Sequence, residues 1–385
     1  MIRRRTITSY VWNSVSGNKR VILSNCIRNF FRKFELIGNS VQGENPAPDN
    51  PQEIKSAGKW NEEKQKYEID VKVTGKNLFD SRYASNPFNW VDSGDGFKTL
   101  NKPLITNGEE YTISSIKLLP KGLGFNFLIS ESFERLSVKH YYFYHNGNSP
   151  AIKDRVTVRG SDNLYLKMTG DFDSFASNLL NILQFEKGGN KTPYEPYTEQ
   201  SMQIVLNEPL RGIGEYKDVL TKDGVVRKIY PPYEINLNDL RDGGYSRTNT
   251  VMFSVKVQNK TVGYASLKPS ILCNILPDCG LQTGNIYNDD KECIAVGGGI
   301  VLFRVNKSRL KDISSFEAIK QSFIELIEGK KMLVEYALET SVTEPLPESV
   351  QAQLSSLHSE NGTTHVFVDS GEVETGINIE YKYKS

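Results

Sequence analysis

The side chains able to do chemistry are scattered along this chain of 385 residues and do not gather into one motif. The densest group is His140-Tyr141-Tyr142-Phe143-Tyr144-His145. In an extended strand alternate residues share a face, so Tyr141, Phe143 and His145 point one way and His140, Tyr142 and Tyr144 the other. One set can fill a core while the other offers flat apolar rings with polar edges, a surface that suits sugar rings and their hydroxyls. A cross-strand aromatic ladder that only stabilises a sheet is the alternative. Trp90 beside Asp92 poses the same choice. Trp90, Asp92, Tyr142 and Tyr144 are therefore the candidate ligand contacts.

Catalytic patterns are missing. There is no Gly-x-Ser-x-Gly elbow and no His-Glu-x-x-His helix. His140, His145, His358 and His365 have no local partner that would mark a triad. A glycosidase needs only two acids close in space, and Glu131 with Glu134 or Asp171 with Asp173 can be nominated, but 46 acidic residues make chance pairs common. Gly297-Gly298-Gly299 lacks the Lys-Ser/Thr of a phosphate cradle and lies between strand-like segments, which points to a hairpin or bulge. Cys26, Cys273, Cys279 and Cys293 match no zinc spacing and are too few for a disulfide scaffold, so they read as ordinary buried thiols. No metal, cofactor or catalytic residue is expected.

The elements that would position these groups are mostly strands. Tyr67, Ile69, Val71 and Val73 alternate with Glu68, Asp70 and Lys72, giving one apolar and one wet face. The same period recurs at Val156/Val158, at Leu164/Leu166/Met168, at Val251/Phe253/Val255/Val257 and at Ile377/Ile379/Tyr381/Tyr383. Between residues 76 and 200 the strands are separated by clusters such as Asp92-Ser93-Gly94-Asp95-Gly96. Two amphipathic sheets bury their apolar faces against each other, so this stretch is expected to be a β-sandwich or jelly roll. One helix is expected near 315–328, with Ser314 and Glu317 as its capping box and Phe316, Ile319, Phe323 and Ile327 as its apolar stripe before Gly329. Its stripe should pack on strands at 300–305 and 332–338.

Charge is balanced overall, with 47 basic and 46 acidic residues, which gives no case for nucleic acid as the main partner. No apolar run reaches the ~20 residues a membrane helix requires, and no secretory signal is visible. Residues 1–34 nevertheless carry eight basic and no acidic side chains. They read as a docking arm, with Arg3, Arg4, Arg5, Trp12 and Arg28 as contacts, or as a mobile basic terminus. The expected organisation is mainly β: a basic arm at 1–37, an extended Gly/Pro/Asn-rich linker and first strand at 38–75, the jelly roll at 76–200 and a connecting segment at 201–230. A smaller α+β or β-rich distal domain at 231–346 and a C-terminal segment with terminal strands at 347–385 complete it.

Five stretches of text occur in an order that resembles tail baseplate and tail-fibre proteins of phages and prophages of Gram-positive bacteria. They are GNSVQGENPAPDNPQEIKSAG at 38–58, VKVTGKNLFD at 71–80, FEKGGNKTPYEPYTEQ at 185–200, VLNEPLRGIGEYKDVLTKDGVVRKI at 205–229 and MLVEYALETSVTEPL at 332–346. The resemblance implies a linker, a jelly roll similar to carbohydrate-binding modules, closed by Tyr194-Glu195-Pro196-Tyr197, and a variable distal domain. It carries no ligand contact, and residues 1–34 depart from it. It implies a noncatalytic virion protein at the tail tip, made in the host cytoplasm, that recognises host cell-wall polysaccharide. Other tail proteins are its expected partners and a homotrimer its expected assembly. A purely architectural baseplate component and a wall polysaccharide depolymerase are the alternatives.

Overall fold

The structure is a computed structural model that describes residues 2–8, 18–105, 109–117, 119–120, 122–134, 140–144, 155–158, 163–244, 246–263, 269–279, 286, 290–327 and 329–385. It is mainly β, as the alternating segments require. A twelve-stranded antiparallel sheet forms the scaffold. Its main path runs through Glu199–Leu206, Lys66–Thr74, Gly362–Asp369, Asn18–Cys26, Gly376–Lys384, Lys33–Ile37, Val219–Thr221, Gly224–Glu234, Leu333–Pro345 and Ile271–Cys273. Ile2–Thr8 pairs with Gly376–Lys384, and Lys59–Asn61 with Lys66–Thr74. The period-two pattern explains the packing: Ile69, Val71 and Val73 share a buried cluster with Val21, Leu23, Val366 and Val368. The helix Glu348–Ser356 adds Val350 and Leu354 to the same cluster.

This sheet corrects the expected partition. The supposed arm contributes Asn18–Cys26 and Lys33–Ile37 as interior strands, and the connecting and C-terminal segments lie in the same sheet. Basic residues hide the short apolar alternations Val21/Leu23 and Phe34/Leu36, all of which are buried. The Gly/Pro-rich stretch is likewise no free spacer. Ser40–Gln42 pairs with Ile54–Ser56, Gln52 N–H donates to the Asn274 carbonyl at 2.7 Å, and Asp49 lies 2.8 Å from Arg309.

Two lobes grow from this scaffold, each inserted between strands that are themselves neighbours. The first leaves after Lys66–Thr74 and returns at Glu199–Leu206, where Thr74 faces Glu199. It is a sandwich of a six-stranded and a three-stranded sheet, and the chain crosses repeatedly from one sheet to the other. Tyr111, Ile113 and Phe185 of the small sheet share a core with Phe125, Phe127, Leu166 and Met168 of the large one. Asn77 ties its two ends together. Its Nδ2 donates to the carbonyls of Leu183 and Glu195 at 3.1 and 3.0 Å, while its Oδ1 accepts from Phe79 and Phe185 N–H.

The distal lobe lies between Gly224–Glu234 and Leu333–Pro345, which pair with each other. Its four-stranded sheet, Arg241–Asp242, Thr250–Lys256, Ile300–Asn306 and Cys293–Gly297, is covered by the helix Phe316–Leu326. Phe323 and Ile327 are buried with Phe253 and Phe303, and Phe316 and Ile319 pack against them, as the spacing requires. The helix cap sits one residue later than expected: Ser315, not Ser314, accepts from Ala318 N–H at 3.2 Å. Gly298 and Gly299, with φ of 57° and 79°, make a two-residue hairpin turn, a conformation that side chains beyond glycine rarely adopt. The cysteines need a correction too. Cys279 and Cys293 form a disulfide with Cα atoms 4.9 Å apart, because a strand and the segment bridged to it place them side by side. Cys26 and Cys273 stay free and buried, and burial pushes their thiols up to about 11 and about 12.

Candidate binding site

The outer rim of the sandwich is built from the segment Asn86–Phe97. Asn86 accepts from Phe88 N–H at 3.1 Å and opens a single 3₁₀ turn, Pro87–Asn89, with proline where no N–H is needed. The edge strand Trp90–Asp92 follows and pairs with Lys98–Leu100. Of its three residues only Trp90 is buried, so strict alternation does not extend to Asp92 at the strand's end. Trp90 turns inward, 5 % exposed, with its indole N–H 2.7 Å from the Ala84 carbonyl and its ring edge-on to Phe175 at 5.2 Å. Val91 and Asp92 face outward, and Phe88 stands 88 % exposed just before them.

The turn beyond Asp92 is fixed from below. Lys167, wholly buried, reaches Asp95 at 2.6 Å, and Asp95 also accepts from the Ser93 hydroxyl at 2.6 Å. Burial raises the affinity of Asp95 for a proton, but these bonds outweigh it and hold the carboxyl below its usual range. Asp92 Oδ1 accepts from Gly94 N–H at 2.9 Å. The rim thus exposes an aromatic ring at the 3₁₀ turn and, farther along the edge strand, an isopropyl group and a carboxylate. Such a surface can stack a sugar face and accept hydrogen bonds from its hydroxyls.

The expected contacts divide accordingly. Asp92 is exposed, whereas Trp90 is the buried anchor of the rim and not a platform. Tyr144 is fully buried, and its hydroxyl donates to the Pro120 carbonyl at 2.9 Å and accepts from Leu123 N–H. The reason is a β-bulge in the strand His140–Tyr144. Phe127 pairs with Tyr144 and Leu128 with Tyr142, so Phe143 is skipped and both Phe143 and Tyr144 turn into the core. Strict alternation cannot foresee such an inserted residue. The side chain of Tyr142 lies outside the described residues. Phe88 was missed, although the Asn-Pro step ahead of it marks the turn that exposes it.

A second surface gathers the basic residues. Ile2–Thr8 is paired on one side only among the described residues, with Arg4 opposite Lys382 and Arg5 opposite Tyr381. Arg4, Lys382, Arg32, Glu380 and the Asn29–Phe31 segment surround a cleft of about 300 Å³. Phe30 is 61 % exposed at its rim and meets the His358 ring edge-on at 5.9 Å. Arg32 lies 3.6 Å from Glu380, and Arg28, outside the cleft, lies 3.6 Å from Glu360. Trp12 lies outside the described residues.

Of the nominated acids, Asp171 has a structural role. Asp171 caps the helix Phe172–Asn178 by accepting from Asp173 N–H at 3.0 Å. Among the described residues, no three His, Cys, Asp or Glu side chains converge as for a metal, and no helix is long and apolar enough to cross a membrane. Comparison with protein-family models, with curated proteins and with solved structures finds no match for this chain.

Proposed function

We propose that this chain is a noncatalytic virion protein of a phage tail baseplate or fibre, which recognises host cell-wall polysaccharide during adsorption. The observation that carries the reading is Phe88, a large aromatic ring left almost wholly in solvent on a rim that Trp90 anchors and that also exposes Asp92. Isolated exposed apolar side chains are common, but an aromatic ring on an anchored rim that also exposes a carboxylate has the makings of a sugar-binding surface. The five tail-like stretches support the same reading. Single sugar sites are weak, so a homotrimer that presents three rims raises avidity by roughly a hundredfold or more without new contacts. The protein is then located at the tail tip after synthesis in the host cytoplasm.

Wall polysaccharide immobilised from a susceptible host is expected to retain the full-length protein, and Phe88→Ser to weaken retention roughly tenfold with the unfolding midpoint unchanged. Equal retention of both proteins removes the rim as the receptor site. No retention of the unaltered protein leaves the architectural reading in its place, and release of new reducing ends favours the depolymerase.

A further inference from the structure

The cleft on the scaffold face is built by two paired strands and the segment beside them. Ile2–Thr8 and Gly376–Lys384 run antiparallel in a register that sets Arg4 directly opposite Lys382. Opposed residues share a face of the sheet with Cβ atoms about 4.5–5.5 Å apart, and like charges in that position are destabilising. Both side chains are exposed. Glu380, two residues before Lys382 and so on the same face, is taken up by Arg32 at 3.6 Å. Arg32 arrives from the other flank of Gly376–Lys384, where its N–H donates to the Glu380 carbonyl at 3.0 Å. Arg4, Arg32 and Lys382 with the single carboxylate of Glu380 leave the cleft an excess of two positive charges, and Phe30 adds an exposed ring at its rim.

We propose that this cleft binds a small phosphate monoester that carries a ring. The phosphoryl group bridges Arg4 and Lys382, Arg32 closes on it from the opposite flank, and the ring of the ester lies against Phe30. The charge count selects this ligand. A phosphate monoester carries about −1.5 to −2 at pH 7 and matches the excess of two, whereas a carboxylate or a sulfate ester supplies one charge. Guanidinium forks also fit phosphate oxygens. A volume of about 300 Å³ lies at the small end of ligand sites and suits one ring with its phosphate better than a longer chain. The opposed pair of Arg4 and Lys382 costs the free protein stability, and a bound dianion removes that cost. Binding and stability therefore pull these two positions in opposite directions. The inference does not depend on the polysaccharide reading, because it uses neither the sandwich nor its rim.

Calorimetric titration of the full-length protein at low salt tests this with three probes: phenyl phosphate, phenyl sulfate, which has one charge fewer, and inorganic phosphate, which has no ring. Phenyl phosphate is expected to bind roughly tenfold more tightly than phenyl sulfate and about threefold more tightly than inorganic phosphate. Arg4→Ser combined with Lys382→Ser should weaken phenyl phosphate roughly tenfold or more, while the unfolding midpoint of the unliganded variant stays level or rises. Phe30→Ser should remove the advantage of phenyl phosphate over inorganic phosphate and leave the inorganic ion bound as before. Phe88→Ser should change none of the three, which separates this site from the sandwich rim. No binding of phenyl phosphate, equal binding of the phosphate and sulfate esters, or a double variant that binds as before overturns the proposal. A midpoint that falls in the double variant overturns it too, because the two cations would then brace the sheet instead of opposing each other.

Discussion

The sandwich and the distal lobe leave the same sheet in the same way, between two adjacent strands, yet they are fastened to it by opposite means. The distal lobe has no neck. Gly224–Glu234 and Leu333–Pro345 run through from scaffold to lobe, so that Val225 belongs to the scaffold core while Val334 and Tyr336, farther along the pair, belong to the distal core. At this joint the charges are buried and fully engaged. Asp218, wholly buried, accepts from Arg227 at 3.1 Å and from the backbone N–H groups of Arg211, Lys228 and Ile229. Arg211 reaches Glu335 at 3.1 Å and Glu208 at 2.6 Å.

The sandwich instead rests on the outer face of the sheet through a polar seam. Arg20 lies 3.2 Å and Lys187 2.5 Å from Glu109, and Arg20 also covers the ring of Tyr111 at 5.7 Å. Within the seam, the Tyr111 hydroxyl, the Thr74 hydroxyl and both ring nitrogens of His365 are buried without a hydrogen-bond partner among the described residues. Buried polar groups that go unmatched cost stability, and a buried network with every member matched fixes one arrangement. One lobe is thus continuous with the scaffold, while the other is a separately cored module set against it.

The largest effect should come from Asp218→Ala. It strands three backbone donors in the interior and takes from Arg227 its buried carboxylate, leaving it Glu344 and the Pro209 and Glu208 carbonyls, and removing one partner of a buried pair costs about 3–5 kcal/mol. Denaturant unfolding should show the scaffold and the distal lobe weakened together in one transition, with the sandwich melting where it did before. A loss below about 1 kcal/mol, or a distal lobe that melts apart from the scaffold, would break the contrast.

A smaller effect distinguishes the seam by pH. Burial of His365 and the positive charges of Arg20 and Lys187 push its imidazole down to about 3; Glu109 between those two cations is the acid of the cluster. Unfolded, the ring titrates near its ordinary 6.5. Below that pH the unfolded chain takes up a proton that the folded chain refuses until about pH 3, so stability falls as pH drops through this window. The loss is about 2 kcal/mol by pH 5. His365→Phe keeps a ring in place and should remove that part of the slope, which melting curves at pH 7.5 and pH 5 would reveal. Identical slopes for the two proteins would mean that the seam does not exclude the proton.

What the residues disclosed in advance follows the same division. The sandwich, the distal helix and the strands at 67–73 and 377–383 were legible because period-two and helical alternation act locally, through burial of one face. The scaffold was not, because its strands come from both ends of the chain and from between the lobes, and no local signal says that Val21 will lie beside Val366. Of the candidate ligand contacts whose side chains are described, only Asp92 is exposed, since the edge strand turned Trp90 inward and a bulge turned Tyr144 inward. Four of the five stretches quoted from the sequence lie at the joints. GNSVQGENPAPDNPQEIKSAG, VLNEPLRGIGEYKDVLTKDGVVRKI and MLVEYALETSVTEPL supply Ser40, Arg211, Asp218, Arg227 and Glu335 to the distal joint, and VKVTGKNLFD supplies Asn77 to the sandwich neck.

The smallest effect sharpens the contrast most directly, because it compares one ion pair with another. Arg20 is 5 % and Glu109 20 % exposed, and Glu109 is shared with Lys187, so neither partner is as fully withdrawn from water as Asp218. Solvent near the seam screens the attraction, and Lys187 partly replaces Arg20 when it is removed. A double-mutant cycle on Arg20→Ala and Glu109→Ala should therefore give a coupling of about 1 kcal/mol, well below the cost of Asp218→Ala, and it should shrink in high salt. If the coupling instead matches the Asp218 loss and ignores salt, the seam is a buried clamp, and the sandwich is held as rigidly as the distal lobe. If it is small as expected, Asn77 and the paired ends at Thr74 and Glu199 do most of the holding. Cleavage by a protease near those ends should then release a folded sandwich from the scaffold.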